Sequence, residues 1–169
     1  MKPAMPKLLK RLHKLEFDFA EGDGIDFEPY DDFYSPEETQ EWIRDWTGNP
    51  KADGTPYLIF GQDGTGGYAA IWNVRPGSDL ASQPIVFFGS EGAVGVVAQN
   101  LSDYLWLLAG NIGPMEAVEY CSDDRPPNKD FAKFARQHAT TPAAKPTEIV
   151  AKAQAEFPDF ETQIRALCR

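Results

Sequence analysis

Histidine and cysteine are scarce in this chain, with two of each among 169 residues. Cys121 and Cys168 are far apart and show no metal-ligand spacing, so they read as reduced thiols of a cytosolic chain, not as a disulfide framework. His13 and His138 fall in separate helical stretches, and no His/Glu helix pair supplies a zinc ligand set. A nucleophilic Cys121–His138 pair lacks the helix dipole or cationic context that would activate the thiol, and Cys121 reads as structural. Long apolar runs are missing as well. None approaches the roughly 18 residues of a membrane span. The N-terminus, with charges at Lys2, Lys7, Lys10, Arg11 and Lys14, has no uninterrupted apolar stretch of the kind a secretory leader carries. Cytoplasmic location without membrane association is the expectation.

Positive charge is nearly absent from one long segment. Residues 16–45 hold twelve acidic side chains and a single base, Arg44, a net −11 within a chain of −10, so the remainder is +1. This balance disfavours nucleic acid, whose binding draws on phosphate-neutralising lysine and arginine. It favours a cationic protein partner, at least through long-range steering. The same segment interleaves its acids with Phe17, Phe19, Phe27, Tyr30, Phe33 and Tyr34. A solvated acidic tail does not carry six aromatics, so this stretch reads as ordered and partly buried.

Four apolar runs rich in β-branched and aromatic residues lie at about 57–62, 68–74, 84–89 and 93–99. Turn chemistry separates them: Asp63-Gly64-Thr65-Gly66-Gly67, the Gly/Pro/Ser/Asp-rich stretch 75–83, and Gly89-Ser90-Glu91-Gly92. Such spacing predicts an antiparallel meander sheet of four or more strands. Apolar residues at consecutive positions place these strands inside the sheet with cover on both faces. The fold class is α+β, one domain over residues 1–169, long enough to bury roughly 70% of its unfolded surface.

Helices flank that sheet. Leu8, Leu12 and Leu15 make one face of a short amphipathic helix over 7–15. Ser35-Pro36-Glu37-Glu38 is a helix start, with an N-cap, proline at the first helical position and acids on the positive end of the dipole. That helix runs to about Trp46 and stops at Gly48-Asn49-Pro50. Asn100 or Ser102 caps a helix to Ala109, Pro114 opens a short turn through Val118, and Asn128 caps Lys129–Ala139. The helical part over 128–169 ends in a stripe of Ile149, Ala153, Phe157, Phe160, Ile164 and Leu167, which Pro158 must kink or divide.

Candidate chemistry is thin. Gly64-Thr65-Gly66 lacks the spacing and the Lys-Ser/Thr of a phosphate loop and reads as a hairpin turn. Asp18, Asp23, Asp26 and Glu28 do not have calcium-loop spacing. Ser90 departs from the nucleophile elbow, with its first glycine one residue too close and a strand following it. Asp123 and Asp124 fall in a proline-rich loop with no suggested partner. No catalytic residue, metal ligand or cofactor is predicted. Trp42 and Trp46, beside Glu37, Glu38 and Glu41, pack on the sheet or, where exposed, form an aromatic anchor in an acidic rim. The same question applies to Tyr68 and Trp72, which share one face of the second strand.

The order of pieces from Phe60-Gly61-Gln62-Asp63-Gly64-Thr65-Gly66-Gly67-Tyr68, through Pro84-Ile85-Val86-Phe87-Phe88-Gly89-Ser90-Glu91-Gly92, to Gly95–Leu105 resembles the SUKH superfamily. This is the Smi/Knr group of cell-wall-synthesis regulators and bacterial immunity proteins. The likeness covers about residues 57–110; the acidic aromatic stretch 17–46 stands where members usually carry a helix, a Leu-Pro turn and an aromatic-rich helix. The resemblance implies an α+β fold and a non-catalytic protein that neutralises a toxin by binding it. The expected partner is therefore a basic toxin domain, met by Asp31, Asp32, Glu37, Glu38, Glu41, Trp42, Trp46, Asp63, Tyr68 and Trp72. The alternative is a regulatory scaffold or ligand-binding module, with its cleft beside the Asp63–Tyr68 hairpin.

Overall fold

A computed structural model describes residues 2–169. Strands β1 (Glu28–Pro29), β2 (Tyr57–Gln62), β3 (Tyr68–Trp72), β4 (Ile85–Phe88) and β5 (Val94–Ala98) form one antiparallel sheet in the order β1-β2-β3-β4-β5. Sequence neighbours are sheet neighbours throughout, which is the expected meander. Seven α-helices flank it among the described residues: α1 (Lys7–Leu12), α2 (Pro36–Thr47), α3 (Leu101–Ala109), α4 (Pro114–Glu119), α5 (Lys129–His138), α6 (Pro146–Glu156) and α7 (Phe160–Leu167). The fold is α+β.

Both faces of the sheet are covered, and the two-residue alternation of the strands sorts the side chains between them. Leu58 and Phe60 of β2, with Ile71, Ile85 and Phe87, pack on Leu9 and Leu12 of α1, Tyr104 and Leu105 of α3, and Phe131 of α5. Tyr57 and Ile59, with Trp72, Val86 and Phe88, pack on Ile43 of α2 and on Phe160 and Ile164 of α7. Each such side chain, when fully buried, contributes roughly 1.5–3 kcal/mol.

Pro158 divides the C-terminal stripe. Ile149 and Val150 of α6 join the first layer, whereas Ala153 of α6 and the buried Phe160 and Ile164 of α7, with Leu167 against them, join the second. The break therefore lets the chain wrap around β5, which has no strand neighbour on its outer side, and cover an edge that would otherwise invite pairing. The backbone amide of Arg169 then donates to Thr47 O (2.8 Å), and Asn49 Nδ2 donates to Leu167 O (2.8 Å), fastening α7 to the end of α2.

Helix termini follow their caps. Ser35 Oγ accepts from Glu38 N (3.1 Å) while Glu38 reaches back to Ser35 N, a reciprocal capping box. Gly48 ends α2 in the left-handed region, at φ 66°. Asn100 Oδ1 caps α3 and Asn128 Oδ1 caps α5. Two elements are shorter than anticipated. Strand β3 stops at Trp72 because the buried Gln83 side chain takes the amides of Val74 (3.1 Å) and Arg75 (2.8 Å) away from the ladder. Helix α1 stops at Leu12, after which Lys14 and Leu15 make only tighter i−3 bonds. One element was not anticipated: β1, where Glu28 pairs with Gln62 and Pro29 with Gly61. Its proline, lacking an amide proton, suits an edge strand.

Candidate functional site

The acidic aromatic stretch crosses the second face of the sheet, and β1 decides where its rings go. Just beyond the β1 pairing, Tyr30 N donates to Phe60 O (2.9 Å) and Tyr34 N to Ile59 O (3.0 Å), so both residues are tied to β2 through the main chain. Their rings stack at 5.2 Å between centroids, 13° apart. Tyr34 meets Tyr68 of β3 edge-on at 5.3 Å, and their hydroxyls lie 3.0 Å apart. Tyr68 meets Trp42 of α2 at 5.4 Å, and Trp42 lies 6.4 Å from Trp46. Tyr30, Tyr34, Tyr68, Trp42 and Trp46 are thus one continuous row, each half-buried. Beneath it, Phe88 is fully buried and touches both tryptophans edge-on, at 5.0 and 5.5 Å.

Helical periodicity on α2 sets the row beside its acids. Thr39, Ile43 and Thr47 are the buried stripe of the helix. Glu38, Trp42 and Trp46 form the next strip, and Glu37, Glu41 and Asp45 the one beyond, which is exposed. Across the row, Glu28 and Asp31 are also exposed. Among the described residues no lysine or arginine pairs with Asp31, Glu37, Glu38, Glu41 or Asp45, whereas Asp32 is held by Lys2 Nζ at 3.1 Å. Lys7, Lys10 and Arg11 of α1 and Lys14 just after it are exposed; α1 packs on the first face of the sheet, and the charge of Lys10 still reaches Asp32.

Burial, then the Tyr34 hydroxyl and the charge of Glu38, push the Tyr68 phenol up to about 12. Burial and the neighbouring tyrosines, with Glu28, likewise raise Tyr30. Both stay neutral hydrogen-bonding groups far above neutral pH. The row therefore offers ring faces, polar phenols and an anionic surround, with Tyr30 OH donating to Gln62 Oε1 and Trp46 Nε1–H to Gly89 O (2.8 Å).

Of the residues anticipated at a partner surface, Asp31, Glu37, Glu38, Glu41, Trp42, Trp46 and Tyr68 are brought together here, with Asp32 at its margin. Trp72 is not part of it. It is 9% exposed, and its ring is enclosed by Phe157 (5.0 Å) and Phe160 (4.8 Å), because the α6–α7 break lays these two residues over β3. Asp63 also drops out of the open face: it is 1% exposed, and its Oδ1 accepts from Thr65 N, Thr65 Oγ1 and Gly67 N to hold the hairpin turn. Tyr30, Tyr34, Glu28 and Asp45 were missed as site residues. The aromatic–acid alternation was the available signal, but only β1 pairing shows which rings come forward.

The remaining candidates serve structure. Asp123 caps α6, accepting from Thr147 N (3.0 Å) and Thr147 Oγ1 (2.6 Å). Cys121 is half-buried, and burial together with Asp123 pushes its thiol up, away from the reactive thiolate. Ser90 Oγ donates to Thr65 Oγ1 (3.1 Å) across the two hairpins. Among the described residues no group of three or more His, Cys, Asp or Glu is placed to hold a metal ion. Among the same residues no helix is long and apolar enough to cross a membrane. No known protein family, curated protein or solved structure matches this chain.

Proposed function

We propose that this chain is a cytosolic, non-catalytic binding protein of the immunity type, which occludes a basic surface of a toxin domain with the row Tyr30–Tyr34–Tyr68–Trp42–Trp46. The observation that carries the reading is the row itself: five half-buried rings inside an exposed acidic border, of which only Asp32 is ion-paired among the described residues, by Lys2. Tyrosine and tryptophan dominate binding hot spots because they bury much area at little entropic cost, and they stack on arginine and lysine. Unpaired carboxylates around them speed encounter with a cation-rich partner and reject anionic ones. The resemblance of residues 57–110 to the SUKH superfamily supplies the immunity class. A small-molecule module is the weaker reading, since the hollow beside the Asp63–Tyr68 hairpin is only about 170 Å³, below the roughly 300 Å³ at which ligand pockets begin.

The test uses purified basic toxin domains encoded beside this gene, with affinity measured by calorimetry as salt is raised. Binding should weaken at least about tenfold between low and high salt, and Trp42→Ala should cost about 2–4 kcal/mol of affinity. Affinity that is flat with salt and indifferent to Trp42→Ala would sink the proposal.

A further inference from the structure

The two hairpins at one end of the sheet enclose a small notch behind the Trp46 end of the aromatic row. Gly89 belongs to both: its carbonyl takes the Trp46 indole proton, and its backbone lines the notch. The other walls are Asp63, Thr65, Phe87, Ser90, Glu91 and Glu119, around about 170 Å³. No lysine or arginine contributes to the lining.

Asp63 is the unusual member. Its carboxylate is almost wholly buried, and all three of its side-chain hydrogen bonds fall on Oδ1, at 2.8–2.9 Å. Oδ2 accepts from no donor among the described residues. Among the described residues the side-chain atoms sealed from solvent without a partner are His13 Nε2 and Tyr104 OH, so Oδ2 keeps a sliver of access, and Asp63 is one of the walls of the notch. A buried carboxylate oxygen with no donor is costly unless a cation or donor meets it.

The rest of the lining is built of acceptors. Ser90 donates its proton to Thr65 Oγ1, and Thr65 donates its own to Asp63 Oδ1. That relay spends both hydroxyl protons and leaves lone pairs on Ser90 Oγ facing out. Glu91 and Glu119 are exposed at the mouth. Behind Asp63, Asp26 Oδ1 accepts from Gly64 N (2.8 Å), and the fully buried Glu116 accepts from Asp26 N (3.0 Å) and Gly113 N (2.9 Å), so two more carboxyl groups back the turn. Gly67 packs closely against Asp63 and Phe87. A Cβ there would lie 2.6 Å from Phe87 Cζ, 3.1 Å from Asp63 Oδ2 and 3.1 Å from Phe88 O.

The geometry points to this notch as a receptor for one primary ammonium group, the lysine side chain of a basic partner, with Asp63 Oδ2 as its ion-pairing acceptor. Three N–H donors on a compact cation match Oδ2, Ser90 Oγ and a mouth glutamate, and the Phe87 ring edge receives the last methylenes. Phe87 and α4 lie on the first face of the sheet and Trp46 on the second, with Gly89 between them, so a partner that fills the notch and covers the row must reach round the hairpin end. The lysine's source rests on the reading above; the ammonium chemistry does not.

The test needs no partner. The intact ¹⁵N-labelled chain is titrated with n-butylammonium and, in parallel, with neutral n-butanol and with calcium chloride. The amides of Gly67, Gly89 and Ser90 should shift saturably with the ammonium alone, with a Kd of millimolar order. Asp63→Asn keeps an Oδ1 acceptor for the turn and should weaken this binding at least tenfold without changing the melting temperature; Glu91→Gln with Glu119→Gln should weaken it less. No saturable shift, equal binding by Asp63→Asn, or equal saturation by butanol or calcium overturns the ammonium site. A partner that depends on Trp42 yet ignores Asp63→Asn overturns this proposal and leaves the earlier one standing. Butylammonium binding without any basic partner does the reverse.

Discussion

Phe88→Ala is the sharpest probe of how the sheet holds the aromatic row in place. Phe88 is fully buried and meets four rings edge-on: Trp42 at 5.0 Å, Trp46 at 5.5 Å, Tyr57 at 5.1 Å and Phe160 at 6.0 Å. Truncating a buried phenylalanine costs about 3–5 kcal/mol in transfer and cavity terms. Edge-to-face pairs add roughly 0.5–1.5 kcal/mol each beyond area, and because α2 and α7 relax into the hole only in part, the upper end of the range is expected, about 5 kcal/mol. With a urea slope of roughly 2 kcal/mol per molar, the midpoint should fall by about 2–3 M. The assay is urea unfolding followed by far-ultraviolet circular dichroism, with native-state tryptophan emission recorded alongside. Emission should shift to the red as Trp42 and Trp46 lose their support. Phe88→Leu should cost about 1–2 kcal/mol and leave the emission nearly unchanged. A loss below about 2 kcal/mol for Phe88→Ala, equal to that of Phe88→Leu, would refute the view that this ring is what seats α2.

Two further perturbations test the junction between the N-terminal stretch and the sheet. His13 Nδ1–H donates to Tyr30 O (2.7 Å) while Nε2 is sealed without a partner, and burial lowers the pKa of the ring, partly opposed by the Tyr30 carbonyl and Asp31. The folded state thus favours neutral histidine: its contribution is complete above the ordinary value of 6.5 and is lost as pH falls from there through the folded value. Glu116, raised by burial, has the opposite sign, holding its contribution below its ordinary 4.5 and losing it as pH rises. Unfolding free energies of the parent minus those of His13→Gln, from urea titrations, cancel that term; the difference should shrink by up to about 1.4 kcal/mol per pH unit on acidification below 6.5, and a pH-independent difference would count against buried neutral His13. Gly61→Ala would set a Cβ 2.1 Å from Phe27 Cζ and 2.8 Å from Glu28 O. It should cost at least about 1–3 kcal/mol and strip hydrogen-exchange protection from the Tyr30 amide; retained protection would show that β1 can yield without leaving the sheet.

The elements were largely legible because their signals are local. Runs such as Ile85–Phe88 and Val94–Ala98 combine β-branched and aromatic residues with flanking glycines, and the segment before α2 carries its own cap in Ser35 and Glu38. The site was legible in part. Spacing along one helix placed Trp42 and Trp46 near the acids, but Trp72 has the same residue type and strand position as an exposed anchor would. Only Phe157 and Phe160, arriving from far along the chain, cover it.

Strands, caps and the acid–base split of this protein follow from residue order, because turn preference, helix capping and charge are properties of a few neighbouring residues. Which aromatic rings face outward, and why one oxygen of Asp63 is left without a donor, depends on contacts across long separations: Tyr34 with Tyr68, Trp46 with Gly89, Thr65 with Ser90. Those pairings exist only after the sheet closes, since each brings together groups that no local preference holds near one another.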